Sequence, residues 1–212
     1  IEIFDLKTRQ FRYWAPTGEG QLRSPINITI DGDGTRYVAD TARGQILIFS
    51  DDERFVGAIG QRATVIPTGH NVTKTKTEEE KAAEQAAAEK MVFKPTDVAL
   101  SPDRIYASDM KGHNVRVYNK TTRELLFTIP KDPENGEARL FSPTNLALGP
   151  QNHVYVSDTG GFRVQEYDAD GNHLRTYGRQ GDRPGEFAMN KGIAVDREGR
   201  LTHPDTRGRA FL

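Results

Sequence analysis

FSPTNLALGPQNHVYVSDTGGFRVQEYDADGNHLRTY, residues 141–177, decides how this chain folds. Residues 145–148 are short and apolar, and residues 154–157 alternate and close at Asp158. Residues 162–167 alternate again, and residues 173–177 follow an Asp168-Ala169-Asp170-Gly171 turn. Period-two alternation bounded by Gly, Asp and Asn marks strands joined by tight turns. The stretch therefore reads as four consecutive short strands.

The same grammar recurs along the chain. The Asp that ends the second strand reappears as Asp40 in YVAD, Asp109 in YASD, Asp158 in YVSD and Asp205 in THPD, at spacings of 69, 49 and 47 residues. First strands stand at 26–31, 96–101, 144–149 and 191–196. Three follow a proline (Pro25, Pro95, Pro143), and Asn190 takes that place in the fourth. Three residues further back sits an apolar residue: Leu22, Val92, Leu140 or Phe187. Third strands stand at 46–50, 115–119 and 164–168, and residues 1–5 match them. A period in the forties with four strands per unit is the pattern of β-propeller blades.

The expected architecture is a single all-β propeller domain over 1–212: two outer strands, three full blades, then two inner strands, with Phe211 beginning a further third strand. Closure of the first pair on the last would give four blades. Otherwise the chain is part of a larger ring, with remaining blades outside this sequence. The second reading is favoured, because Pro204 falls within the last second strand, where proline removes a ladder hydrogen bond.

The pattern resembles the NHL-repeat propeller family. The resemblance rests on Gly181-x-x-Pro184-Gly185-x-Phe187, on Gly192-Ile193-Ala194-Val195-Asp196, and on the repeated Tyr-Val-(Ala/Ser)-Asp with Arg163-Val164 in the best copy. It covers nearly the whole chain; Pro204 and Asn190 depart from it. It implies a ring of six blades, and an extracytoplasmic setting common among bacterial members.

The long first spacing contains an insertion at 61–92. Its second half, TEEEKAAEQAAAEKM, is rich in strong helix formers and opens on a Thr77-x-x-Glu80 capping box. A helix over 78–91 is expected. Alanines cover much of its circumference, so it packs poorly alone. It is either a solvated loop decoration or a partner-docking element, with Glu78, Gln85 and Met91 along it.

Asn27, Asp97, Asn145 and Gly192 share one repeat position, which rims the central channel. Oxygen ligands there suit a hard cation such as calcium, as in metal-dependent propeller hydrolases and lactonases. Asn, Asp and Gly are also the residues that best tolerate positive φ, and a shared backbone conformation is the favoured account. Recurrence of Asp40, Asp109, Asp158 and Asp205 in every unit argues for a scaffold task over catalysis. Asp31-Gly32-Asp33-Gly34 lacks the twelfth-position Glu of a calcium loop and reads as a turn.

Of the five histidines (70, 113, 153, 173 and 203), only His113 and His203 suit a channel zinc site, and they differ in register. Basic residues cluster after the repeated Asp. Arg43, Lys111, His113, Phe162, Arg163 and Arg207 define a candidate loop face, read either as an RNA platform or as salt bridging to the nearby carboxylates. Arg209 adds to the same cluster.

Composition bounds the rest. The 212 residues carry a net charge of −1, with no bulk drive toward nucleic acid. There is no cysteine, which excludes disulfides, thiolate metal sites and cysteine nucleophiles. No apolar run is long enough to span a bilayer. No catalytic residue and no resident metal or other cofactor is assigned. The expected function is a non-enzymatic binding scaffold for a protein partner. The alternatives are a metal-dependent hydrolase, lactonase or lyase in the channel, and an RNA-binding platform.

Overall fold

The computed structural model describes residues 1–61, 92–183, 185–188, 192–204 and 210–211. The insertion helix expected over 78–91, with Glu78, Gln85 and Met91, lies outside the described residues. So do Asp205, Arg207 and Arg209.

Strands form where the alternation places them. β1 (Glu2–Phe4) and β2 (Phe11–Tyr13) pair as the two outer strands of one unit. Three complete four-stranded sheets follow. The first holds β3 (Pro25–Ile30), β4 (Arg36–Asp40), β5 (Gln45–Phe49) and β6 (Phe55–Ile59). The second holds β7 (Pro95–Leu100), β8 (Arg104–Asp109), β9 (Asn114–Asn119) and β10 (Leu125–Ile129). The third holds β11 (Pro143–Leu148), β12 (Val154–Asp158), β13 (Arg163–Tyr167) and β14 (His173–Tyr177). A last sheet is built from β15 (Ala194–Val195), β16 (Leu201–Pro204) and β17 (Ala210–Phe211). Within each sheet every strand pairs antiparallel with its sequence neighbour, as meander blades require. Pro204 sits at the end of β16, opposite Ala210. Among the described residues the ring is not closed: β1–β2 and β15–β17 remain separate sheets.

The turns are those the sequence marks. Gly34 (φ 86) closes the Asp31–Gly34 turn with its N–H on the Asp31 carbonyl, and Asp31 and Asp33 accept backbone N–H groups within it. Gly171 (φ 86) does the same after Asp168.

The core lies between blades. Val98 of β7 packs on Tyr37, Ala39, Ile46 and Ile48 of the preceding sheet. Leu146 of β11 packs likewise on Tyr106, Val115 and Val117. Each fully buried aliphatic side chain contributes about 1.5–3 kcal/mol, so neighbouring blades stabilise one another.

The apolar residue before each inner strand holds with one shift. Leu140 and Phe187 are buried and Leu22 is half-buried. Val92, however, is 68% exposed, and the next residue, Phe93, fills the core at 2%. The Arg116 guanidinium stacks on the Phe93 ring at 4.5 Å, which a valine could not match.

Candidate functional site

The inner strands set the channel wall. In each full sheet the pairing register slips between the proline and the second residue after it: Pro25 to Asn27, Pro95 to Asp97, Pro143 to Asn145. Such a bulge bends the strand and re-aims the next side chain. Asn27, Asp97 and Asn145 thereby line one cavity of about 480 Å³, together with Thr29 and Gly192. Asn145 and Gly192 also border a second cavity of about 500 Å³, with Ile26, Thr96 and Thr144.

The positive-φ account of this position holds for Gly192 alone (φ 71); Asn27, Asp97 and Asn145 have ordinary backbones. Hydrogen bonding explains two of the others. Asp97 Oδ2 accepts the N–H of Leu146 at 2.8 Å and lies 3.5 Å from the Asn145 amide nitrogen, while Oδ1 accepts the N–H of Val98 at 2.7 Å. Asn145 Oδ1 accepts the N–H of Gly192 at 3.2 Å. Asp97 and Asn145 thus each hold the inner strand of the next blade. Burial raises the Asp97 carboxyl to about 6, against the lowering effect of the Leu146, Val98 and Asn145 hydrogen bonds. Among the described residues no three His, Asp or Glu side chains converge on one metal position.

The repeated Asp works as a clamp. Asp40 accepts the N–H groups of Arg23, Ser24 and Arg43. Asp109 accepts those of Lys94, Lys111 and Gly112, and Asp158 those of Phe141 and Ser142. The donors lie both in the following turn and in the segment entering the inner strand. Each carboxylate therefore ties the second strand to the start of its own blade.

Arginines complete these clamps. Arg163 pairs with Asp158 and donates to the Arg139 carbonyl. Arg116 pairs with Asp109 at 2.6 Å and donates to the Val92 carbonyl. Arg43 is 3% exposed and donates to Gln45 and to the Glu19 and Gln21 carbonyls. Three guanidiniums thus reach the same place in three blades from different sequence positions. Repeat alignment alone singled out Arg43 and Arg163 and missed Arg116.

The other loop-face residues are dispersed in role. Lys111 is exposed and also tied to Asp109 through its N–H. His113 is exposed at φ 53, with Nδ1 2.5 Å from the Phe141 carbonyl oxygen. Phe162 (φ 54) packs beside Tyr155, Val164 and Phe187. His153 and His173 face Glu166 and Gln165, away from the rim.

Sequence reasoning missed Glu166. This carboxylate is 5% exposed and accepts the Tyr155 hydroxyl at 2.9 Å and the Tyr177 hydroxyl at 2.5 Å, with His153 Nδ1 at 2.8 Å. The signal was present: Glu166 pairs with Tyr155 where Val117 pairs with Tyr106 and Ile48 with Tyr37.

No protein-family model and no curated protein sequence matches the chain. Solved structures do. Virginiamycin B lyase from Staphylococcus aureus superposes with a TM-score of 0.58 at 12% identity, covering 99% of this chain and 61% of that one. A candidate 6-phosphogluconolactonase from Bacteroides uniformis gives 0.60 at 15%, covering 96% and 56%. Hydrazine synthase from Kuenenia stuttgartiensis gives 0.57 at 13%, covering 95% and 52%. At these identities the likeness shows the fold alone. The chain is a β-propeller-like protein, spanning between 52% and 61% of the length of these neighbours. No helix among the described residues is long and apolar enough to cross a membrane.

Proposed function

We propose that the chain is a propeller of NHL type acting as a rigid scaffold that binds a protein partner. The observation that carries this reading is the use of its polar groups, buried at the four aspartates and half-buried at Asn145. Asp97 and Asn145 link successive blades, and Asp40, Asp109 and Asp158 clamp backbone within blades. Buried polar groups spent on positioning give a stiff ring with broad loop surfaces, which is what a docking platform needs. The helix expected over 78–91, within the insertion at 61–92, is the proposed docking element on that ring. The test is affinity capture of the full chain with and without residues 78–91, quantified against a propeller whose unfolding is monitored in parallel. The scaffold reading expects a saturable partner, weakened by the deletion while the ring still unfolds cooperatively. Unchanged association removes the insertion from the proposal.

One observation favours a second reading, an enzyme with its site in the channel. A buried carboxyl raised to about 6 borders a cavity of about 480 Å³ beside Asn27 and Asn145, and perturbed acids in clefts mark functional sites. Lyase and lactonase names among the structural neighbours are consistent with it. Elemental analysis of the purified protein separates the two. About one tightly held calcium or zinc per chain makes the channel an active-site candidate and displaces the scaffold reading.

A further inference from the structure

The second blade breaks the repeat at one seam. Val92 is turned out to 68% exposure by the one-residue shift that seats Phe93. It borders a groove of about 390 Å³ between β6 and β10. Buried Ile59, Phe93 and Tyr118 form the apolar floor, and Val92 and Leu125, 52% exposed, form the lips.

A cation stands at the far edge. Arg123 is exposed, borders the groove, and lays its guanidinium over Gly57 with Nη1 3.3 Å from the Val56 carbonyl oxygen. Among the described residues no carboxylate lies within ion-pair distance of it, and none lines the groove. Arg116, the other lining cation, is already paired with Asp109. Arg123 also sits at φ 63, in the turn position that Gly171 occupies in the third blade. A non-glycine residue there costs on the order of 1–2 kcal/mol of backbone energy. The first blade carries Glu53 (φ 68) at this position, where it pairs with Arg12 across the preceding seam. Arg123 crosses its seam in the same way, with no carboxylate partner among the described residues.

We propose that this groove takes a segment of the protein partner that offers a large apolar side chain next to a carboxylate. The apolar group covers Val92, Leu125 and the floor, and the carboxylate meets Arg123. An apolar anchor beside a bidentate guanidinium pair is how small interface patches acquire affinity. The volume lies within the range of about 300–1,000 Å³ usual for ligand sites. The proposal rests on the scaffold reading and names where and what that scaffold binds.

The probes are blocked tetrapeptides added to the full chain and followed by NMR shift mapping: Glu-Leu-Phe-Glu, the charge-reversed Lys-Leu-Phe-Lys, and the apolar-deleted Glu-Ser-Gly-Glu. The first is expected to perturb Val92, Phe93, Leu125 and Arg123 and to bind at least about fivefold more tightly than either control. Arg123→Gly provides a variant that folds, since it places glycine where the third blade has it. It is expected to leave stability equal or higher and to weaken the first peptide by about fivefold or more. Equal binding of the charge-reversed peptide, or shifts away from the groove, overturns the proposal. So does preferential binding of a blocked peptide with the sequence of residues 77–91, which makes the occupant the chain's own. A captured protein partner that is indifferent to Arg123→Gly sinks the groove and leaves the scaffold standing.

Discussion

Asp97 Oδ2 accepts the backbone N–H of Leu146 at 2.8 Å, so a carboxyl on one blade holds the inner strand of the next. Asn145 repeats the arrangement one blade on, through Gly192. At Asp97 and Asn145, therefore, the rim polar atoms join successive blades before they serve any ligand.

The buried Asp97 carboxyl makes stability depend on pH in an uncommon direction. Its folded value, about 6, lies above its ordinary value of 3.8. Between these the folded chain holds a proton that the unfolded chain has lost, so stability falls as pH rises through that window. The full difference is about 3 kcal/mol. Urea unfolding of Asp97→Asn at pH 4 and pH 7 is expected to show this falling component removed. An identical slope in the variant would mean the carboxyl is not desolvated as the geometry implies.

Asp109 illustrates the clamp. It is fully buried, accepts three backbone N–H groups and holds Arg116 through Nε at 2.9 Å and Nη2 at 2.6 Å. Asp109→Ala strands a half-buried guanidinium and is expected to cost about 3–5 kcal/mol in denaturant unfolding. Adding Arg116→Met removes the stranded charge. The double variant should then be destabilised by less than the sum of the single changes, since the two residues share one network.

Most of the fold was legible because blade geometry is written in local pattern. The Asp that ends each second strand, the prolines and the Gly171 turn sit at offsets that vary by a single residue between blades, and the strands follow them. The rim was legible in position and misread in cause. The residue set Asn, Asp, Asn, Gly suggested positive φ, yet only Gly192 has it; the hydrogen bonds at the rim cross between chain segments 47–49 residues apart. The arginines escaped alignment for a related reason. A long side chain can reach one spot from several backbone positions, so Arg43, Arg116 and Arg163 share a place without sharing a register.

Gly60 tests how tightly two blades meet. It has φ +95, and a β-carbon there would lie 2.7 Å from both the Gly44 carbonyl oxygen and the Phe93 ring. Gly185 has φ +81 with open space around it. Gly185→Ala is expected to cost about 1–2 kcal/mol for conformation alone. Gly60→Ala should cost more, because backbone at Gly44 cannot give way as a flexible side chain would. Equal melting-temperature losses would show that the contact at Gly44 relaxes freely.

Glu166 should respond to acid in the opposite sense to Asp97. Burial alone would raise its carboxyl, but hydrogen bonds from Tyr177, His153 and Tyr155 together hold it below its ordinary value of 4.5. A depressed folded value gives stability that is present above the unfolded value and is lost as pH falls through the folded one. Glu166→Gln is expected to remove that acid-side loss while Asp97→Asn removes the fall toward neutrality, so the two variants alter opposite limbs of one stability curve. The tyrosine provides an independent readout. Burial and the Glu166 carboxylate push Tyr155 to about 12, so tyrosinate absorbance should show late ionisation in the native protein and an earlier step in Glu166→Gln. The Val117–Tyr106 pair occupies the matching place in the second blade, where the buried Tyr106 hydroxyl has no hydrogen-bond partner among the described residues. The fold therefore accepts a tyrosine there without a carboxylate, and Glu166→Val should still fold. If the acid limb survives in both Glu166 variants, another carboxylate sets it and the tyrosine pair is held by packing alone.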